Sequence, residues 1–322
     1  MTHRFSAFGL IALPVLLVIF ANFAQWNYRS PDGFLGRTVP PWQAEILSGA
    51  APAPYVYRQA VPQLRRALES ILQPGHAAVV IDTGFAAVAV LCGLALAERA
   101  QGRAQRWAGA WVAIIACAAV YPNDKPESVA SVALVLLAGT LALKERHGLA
   151  AVVCTLSAPF RPELPILFGG AFVLTSIVSR DRRAVLGPPA LIGYASSVGA
   201  GAMYLAMAWW VWWPDAAYPV GTPVLMLVEN LKDPLRYPGL ALGAAAVLAG
   251  SFWWLVPPAW PVGVGEAGAG RTTQRGLSAF VVLWVAAFVT VGRADEIRVL
   301  MPLLPLCAVL SLQVERGTPA RV

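Results

Sequence analysis

The stretch YPNDKPES, Tyr121–Ser128, lies between two apolar runs, WVAIIACAAV at 111–120 and VASVALVLLAGTLAL at 129–143. Asp124, Lys125 and Glu127 fall within four positions there, in a chain whose charged fraction is only 13%. Pro122 and Asn123 break one helix. Pro126, Glu127 and Ser128 open the next, since proline suits a first helical position and an acid or hydroxyl suits the positive end of the helix dipole. The pattern predicts a polar hairpin joining two apolar helices, and the same pattern recurs along the chain.

The 322 residues are 58% hydrophobic, with a mean hydropathy of +0.62. A soluble domain is about 45–50% apolar and about 25% charged. Apolar runs of near-spanning length, without the alternation of barrel strands, imply helices that satisfy their own backbone in lipid. The expected fold is all-α: a polytopic transmembrane helical bundle of about ten spans, forming a single integral membrane domain over 1–322. The runs are 5–24, 77–97, 107–121, 127–143, 148–160, 163–179, 186–213, 238–260, 277–292 and 299–314. The 107–121, 148–160 and 163–179 runs are short for the about 20 residues of a crossing. The run from Phe5 follows a short positive segment and is read as an uncleaved first span, because no small-residue cleavage site follows it.

Charge sets the orientation. With both termini cytoplasmic, the inner segments hold 13 of the 24 basic residues and five of the 17 acids, so the inner face is basic, as the positive-inside rule expects. The formal net charge of +7 then reflects topology and anionic lipid headgroups, not nucleic acid. The outer face takes a first long loop at 25–76 and a second at 213–237. In AVPQLRRALESIL, Val61, Leu64, Leu68, Ile71 and Leu72 share helical spacing while Arg65, Arg66 and Glu69 point elsewhere, which predicts an amphipathic helix lying in the interface. The 213–237 loop repeats the idea with TPVLMLVENLKDPLRYP. Protein partners stay open; membrane lipids are the expected neighbours.

Cys92, Cys117, Cys154 and Cys307 sit singly in apolar runs and read as small core residues. No cofactor motif and no metal-ligand spacing stands in the sequence, which leaves a divalent metal open.

Four short motifs fall on the outer face: PYVYR (54–58), YPNDKPES (121–128), PFRPELP (159–165) and GRADEIRVLMPLLP (292–305). Each sets an Arg or Lys beside a carboxylate or a tyrosine at a span end. Taken singly, each is a headgroup anchor or a helix cap. Together, Arg58, Lys125, Arg161, Arg293 and Arg298 are basic residues on the side where orientation does not call for them. Tyr57, Asp124, Glu127, Glu163 and Glu296 are interleaved with them. A shared outward-facing cavity is expected, able to hold a phosphate through Arg and Lys. Asp82, in AAVVIDTGFAAV, is an ionisable residue inside a span, which is either a site residue or one half of a pair with an outer Arg. Asp32, in SPDG, reads locally as a turn residue.

The layout and the motifs PYVYRQAVPQL, DKPES, FRPELP and EIRVLMPLLPL resemble the GT-C superfamily of membrane glycosyltransferases, whose first outer loop carries an acidic residue and interfacial helices. The resemblance implies transfer of a sugar from a polyprenyl-phosphate donor at the outer face of a bacterial inner membrane. It implies Asp32 as general base, with Asp82 as the competing candidate. It implies Arg58, Lys125, Arg161 and Arg298 as ligands of the donor phosphate, with Glu127, Glu163 and Glu296 positioning them. Asp32 stands alone where many such enzymes carry an adjacent acidic pair. The other readings of the same chain are a transporter or lipid flippase, or a non-catalytic membrane scaffold.

Overall fold

A computed structural model describes residues 41–51, 58–97, 127–161, 163–178, 187–210, 226–250 and 269–291, together with Val39, Leu300, Leu303, Leu306, Cys307 and Leu310. Most of the described residues are helical, with no strand among them. In chain order the helices are α1 (Pro41–Ser48), α2 (Ala60–Glu69), α3 (Pro74–Ala97), α4 (Glu127–Leu143), α5 (His147–Leu156), α6 (Glu163–Val178), α7 (Pro188–Trp210), α8 (Leu227–Lys232), α9 (Tyr237–Gly250) and α10 (Ala269–Val291). The all-α expectation holds.

The expected count of about ten spans goes further than the helices do. Among the described residues one segment, Thr272–Thr290 within α10, is long and apolar enough to cross a membrane. Four shorter apolar helices accompany it. The run at 148–160 is helical only to Leu156, so α5 rises about 15 Å, half a hydrocarbon core. It stops because the chain turns back at Ser157–Phe160, where the Ser157 hydroxyl donates to the Cys154 carbonyl and the Ser157 amide donates to that of Val153. α10 begins at Ala269, inside what reads as an inner loop, since AGRTTQRG carries no proline to stop a helix. The runs at 5–24 and 107–121 lie outside the described residues.

α4, α6 and α10 surround the core. Phe168 and Phe172 of α6 pack on each other, and Phe168 meets Phe280 of α10 at 5.1 Å between ring centres. Leu300, Leu303, Leu306 and Leu310 close the core at helical spacing, all fully buried. α7 packs on both α5 and α6 by close backbone approach. A Cβ at Gly193 would stand 2.7 Å from the Gly169 carbonyl oxygen, and one at Gly199 would stand 2.5 Å from Thr155. Cys92, Cys154 and Cys307 are buried and unbridged, as small core residues.

α2 corrects the amphipathic reading. Its buried residues are Val61, Pro62 and Arg65, whereas Leu64 is 43% exposed and Ile71, just beyond it, is 77% exposed. The helix is rotated so that a guanidinium faces inward. The cause is Asp82 on α3, whose buried carboxylate takes Arg65 as counter-ion at 2.9 Å.

In the second long loop, α8 and the 3-10 turn at Pro234–Arg236 close the end of α10. The Met226 amide donates to the Thr290 carbonyl at 2.7 Å, and Asn230 Nδ2 donates to the Val289 carbonyl at 2.8 Å. A helix leaves its last four carbonyls without internal partners, so this loop is a C-terminal cap contributed from outside the helix. Arg236 donates to Asn230 Oδ1 and pairs with Asp233, which fixes Asn230 in the capping position.

Candidate functional site

The site is built at the end of the bundle where α2 starts, α5 turns into α6 and α10 approaches its end. The Ala60 amide donates to the Pro159 carbonyl at 3.0 Å, which pins the start of α2 onto the PFRPELP turn. Ala60 lies two residues beyond PYVYR, so the contact brings the last residue of that motif, Arg58, to PFRPELP. It sets Arg58 across from Glu163, 105 positions along the chain.

Glu163 is the first residue of α6, where the helix dipole favours a negative charge. Its Oε1 accepts from Arg161 Nε at 2.7 Å and lies 2.6 Å from Arg161 Nη2. The same oxygen accepts from Arg58 Nη2 at 3.2 Å. Both arginines are buried to less than a tenth exposure, while the Glu163 side chain is 32% exposed. Two guanidiniums therefore share one carboxylate oxygen, on a side chain that solvent partly reaches.

The plane of Arg161 is backed by aromatic rings. Its guanidinium carbon lies 5.2 Å from the centre of the Trp284 ring, a desolvated cation–π geometry. Trp284 is fully buried and is braced by Phe280 at 5.6 Å. The aromatic ladder of α6 and α10 thus ends on the arginine, which holds the donor fork in one orientation.

A second ion pair stands beside the first. Arg65 and Asp82 are 3% and 5% exposed, and Trp42 of α1 covers the guanidinium at 5.2 Å. Val61, Ile81 and Ala130 form a small apolar cluster, with Leu68, Phe85 and Phe160 packed against it. Phe85 and Phe160 meet edge to face at 5.4 Å. α1 is tied to α2 by Gln43, which donates to Glu69, and by Gln59, which donates to the Ile46 carbonyl.

Of the residues expected to form one cavity, the structure brings together Arg58, Arg161 and Glu163. It places Asp82 elsewhere, in the pair with Arg65, which is the partnership that a lone acid inside an apolar helix requires. Glu127 is the first residue of α4. Asp32, Tyr57, Asp124, Lys125, Arg293, Glu296 and Arg298 lie outside the described residues. Among the described residues no group of three His, Cys, Asp or Glu side chains is placed to hold a metal ion.

Arg65, Trp42 and Trp284 are contributors that the sequence did not single out. Arg65 had a signal: it stands four positions after Val61 in the helix that precedes the apolar run holding the acid Asp82. Trp284 sits in a run of apolar residues and had none. Comparison of this chain with protein-family models, with curated proteins and with solved structures finds no match.

Proposed function

We propose that this chain is a polytopic membrane protein that binds the phosphate of a polyprenyl-phosphate-linked sugar at its outer face and transfers the sugar to an acceptor hydroxyl. The observation that carries the reading is the Arg58–Glu163–Arg161 cluster, in which two buried guanidiniums converge on one carboxylate oxygen. Guanidinium forks match phosphate oxygens in a planar, two-bond geometry.

The membrane part of the reading rests on where charge and oil lie. Val80, Leu91, Val152, Leu156, Ile166 and Ile177 are each more than half exposed, while Arg58, Arg65, Asp82 and Arg161 are buried. An outside that is apolar and an inside that holds paired ions suit a lipid solvent. The apolar helices α4, α5 and α6, each shorter than a full crossing, then surround a thinned region of the bilayer, and the shared cluster lies at its outer rim.

In the proposed reaction a carboxylate removes the acceptor proton, and the acceptor oxygen attacks the anomeric carbon. The bond from that carbon to the phosphate oxygen breaks, and the lipid phosphate leaves with the electron pair. Arg58 and Arg161 stabilise the charge that develops on the leaving oxygen. Asp82 is committed to Arg65, so the proposal assigns the base to Asp32.

Purified chain mixed with radiolabelled polyprenyl-phosphate sugars and cell-envelope acceptors tests this. Wild type is expected to transfer label, and Asp32→Asn and Arg58→Gln to lose about 100-fold or more. A folded wild-type chain that transfers from none of the donors overturns the transferase reading.

A further inference from the structure

At the opposite end of α5 from Arg161, a groove of about 550 Å³ opens between α5 and α7. Its walls are Ala151, Val152, Thr155, Leu156, Leu191 and Ala195, and its mouth is formed by Glu145, His147, Gly148 and Pro188. The volume is that of a ligand site. From His147 to Leu156 the groove follows about 14 Å of helix. Its walls are apolar throughout apart from the Thr155 hydroxyl, and Val152, Leu156 and Leu191 present more than half their surface to the outside.

The mouth has a different chemistry. α4 ends in a Schellman turn: the Arg146 amide donates to the Leu141 carbonyl at 2.8 Å, and the Glu145 amide donates to the Ala142 carbonyl at 3.0 Å. The left-handed position in that turn, usually glycine, is Glu145 at φ 59°. A non-glycine residue there is strained by roughly 1–2 kcal/mol. The turn delivers Lys144 and Arg146, both exposed, on either side of Glu145. It leads directly into α5, whose N-cap residue Arg146 makes no side-chain cap bond. His147 Nδ1 is buried at the mouth without a hydrogen-bond partner. Burial holds the His147 imidazole below its ordinary pKa, against the pull of Glu145.

We propose that this groove seats an acyl chain of an anionic phospholipid, with the headgroup phosphate at the Lys144–His147 turn. An apolar channel about 14 Å long ends at the start of α5, where the exposed Lys144 and Arg146 flank the single acid Glu145, a net positive turn that is complementary to one lipid tail joined to one anionic head. The turn falls on the face that the charge distribution assigns to the cytoplasm, where anionic headgroups attract basic segments. The inference rests on the membrane part of the proposed function and is independent of sugar transfer.

The full-length chain is reconstituted in nanodiscs of equal phosphatidylglycerol and phosphatidylcholine, extracted, washed with detergent, and its retained lipid quantified by mass spectrometry. Wild type is expected to keep phosphatidylglycerol in preference to phosphatidylcholine. Ala195→Trp, which fills the groove from an exposed position, is expected to lower retained lipid about ten-fold. Lys144→Gln combined with Arg146→Gln is expected to leave the tail seat and abolish the headgroup preference. Glycerol phosphate at millimolar concentration is expected not to displace the lipid. Equal retention of both lipids by wild type, unchanged retention in Ala195→Trp, or complete displacement by glycerol phosphate each overturns the proposal. So does protection of the groove only by a co-purifying polypeptide. A chain that stays out of the nanodisc overturns the membrane reading as well, whereas lost sugar transfer with intact lipid retention overturns the transferase reading alone.

Discussion

Arg65 and Asp82 meet at 2.9 Å in the interior, one from α2 and one from α3, with Trp42 closing the guanidinium from the side of α1. The pair decides how α2 docks on α3. It turns α2 so that an arginine faces in and Leu64 faces out, against the pattern of its apolar residues. Removing one partner takes the counter-ion from a buried charge, which costs about 3–5 kcal/mol. Asp82→Asn and Arg65→Gln are each expected to destabilise by that amount. A double substitution, Arg65→Met with Asp82→Leu, is expected to recover most of it, because two well-packed apolar residues leave no charge to compensate. Denaturant titration of the four proteins reads the difference.

Glu163 is the shared counter-charge of Arg58 and Arg161. In Glu163→Gln, two buried cations lose it, and a loss of several kcal/mol is expected. An anion drawn to the two guanidiniums, which then lack a carboxylate between them, stabilises by mass action. Added phosphate is therefore expected to raise the melting temperature of Glu163→Gln more than that of wild type. Equal response to phosphate would mean that the guanidiniums do not offer an anion seat.

Trp284 braces Arg161 and ends the aromatic ladder. Trp284→Ala is expected to cost about 3–5 kcal/mol through the cavity it leaves. Trp284→Phe keeps the ring contact with Phe280 and is expected to cost less. Both are read by thermal unfolding, and both are expected to weaken binding of a phosphate ligand in proportion to the lost orientation of Arg161.

Gly193 and Gly201 lie on the same helix and make opposite predictions. A Cβ at Gly193 would press on the Gly169 carbonyl at 2.7 Å, whereas one at Gly201 meets nothing within 4 Å. Gly193→Ala is expected to push α6 from α7 and destabilise by about 1–3 kcal/mol. Gly201→Ala is expected to be neutral or to stabilise by up to about 1 kcal/mol, since alanine is the better helix former. Unfolding of the two variants side by side separates packing from propensity.

The left-handed position of Glu145 gives a prediction of opposite sign. Glu145→Gly relieves the strain at φ 59° and is expected to stabilise by about 1 kcal/mol. Glu145→Ala keeps the Cβ and is expected to gain nothing. The comparison in a denaturant series isolates the backbone term from the charge.

Helix positions were largely legible in the order of residues. The runs at 77–97, 127–143 and 163–179 became α3, α4 and α6 within a few residues, because apolar length and proline-marked starts are local properties. Arg161 and Glu163 were legible as a pair because two positions separate them. Arg58 was expected only to share a cavity with them; its contact with Glu163 was not legible, since no local pattern expresses a contact across 105 residues. The inward turn of Arg65 was hidden for a related reason. Spacing reports which residues share a face, but the choice of buried face depended on Asp82 and Trp42, which belong to other helices. The sequence by itself determined an all-helical, strongly apolar chain with polar turns of mixed charge. Only the tertiary structure decided which of those charges meet, because an ion pair is selected by where helices pack and not by where its members stand in the chain.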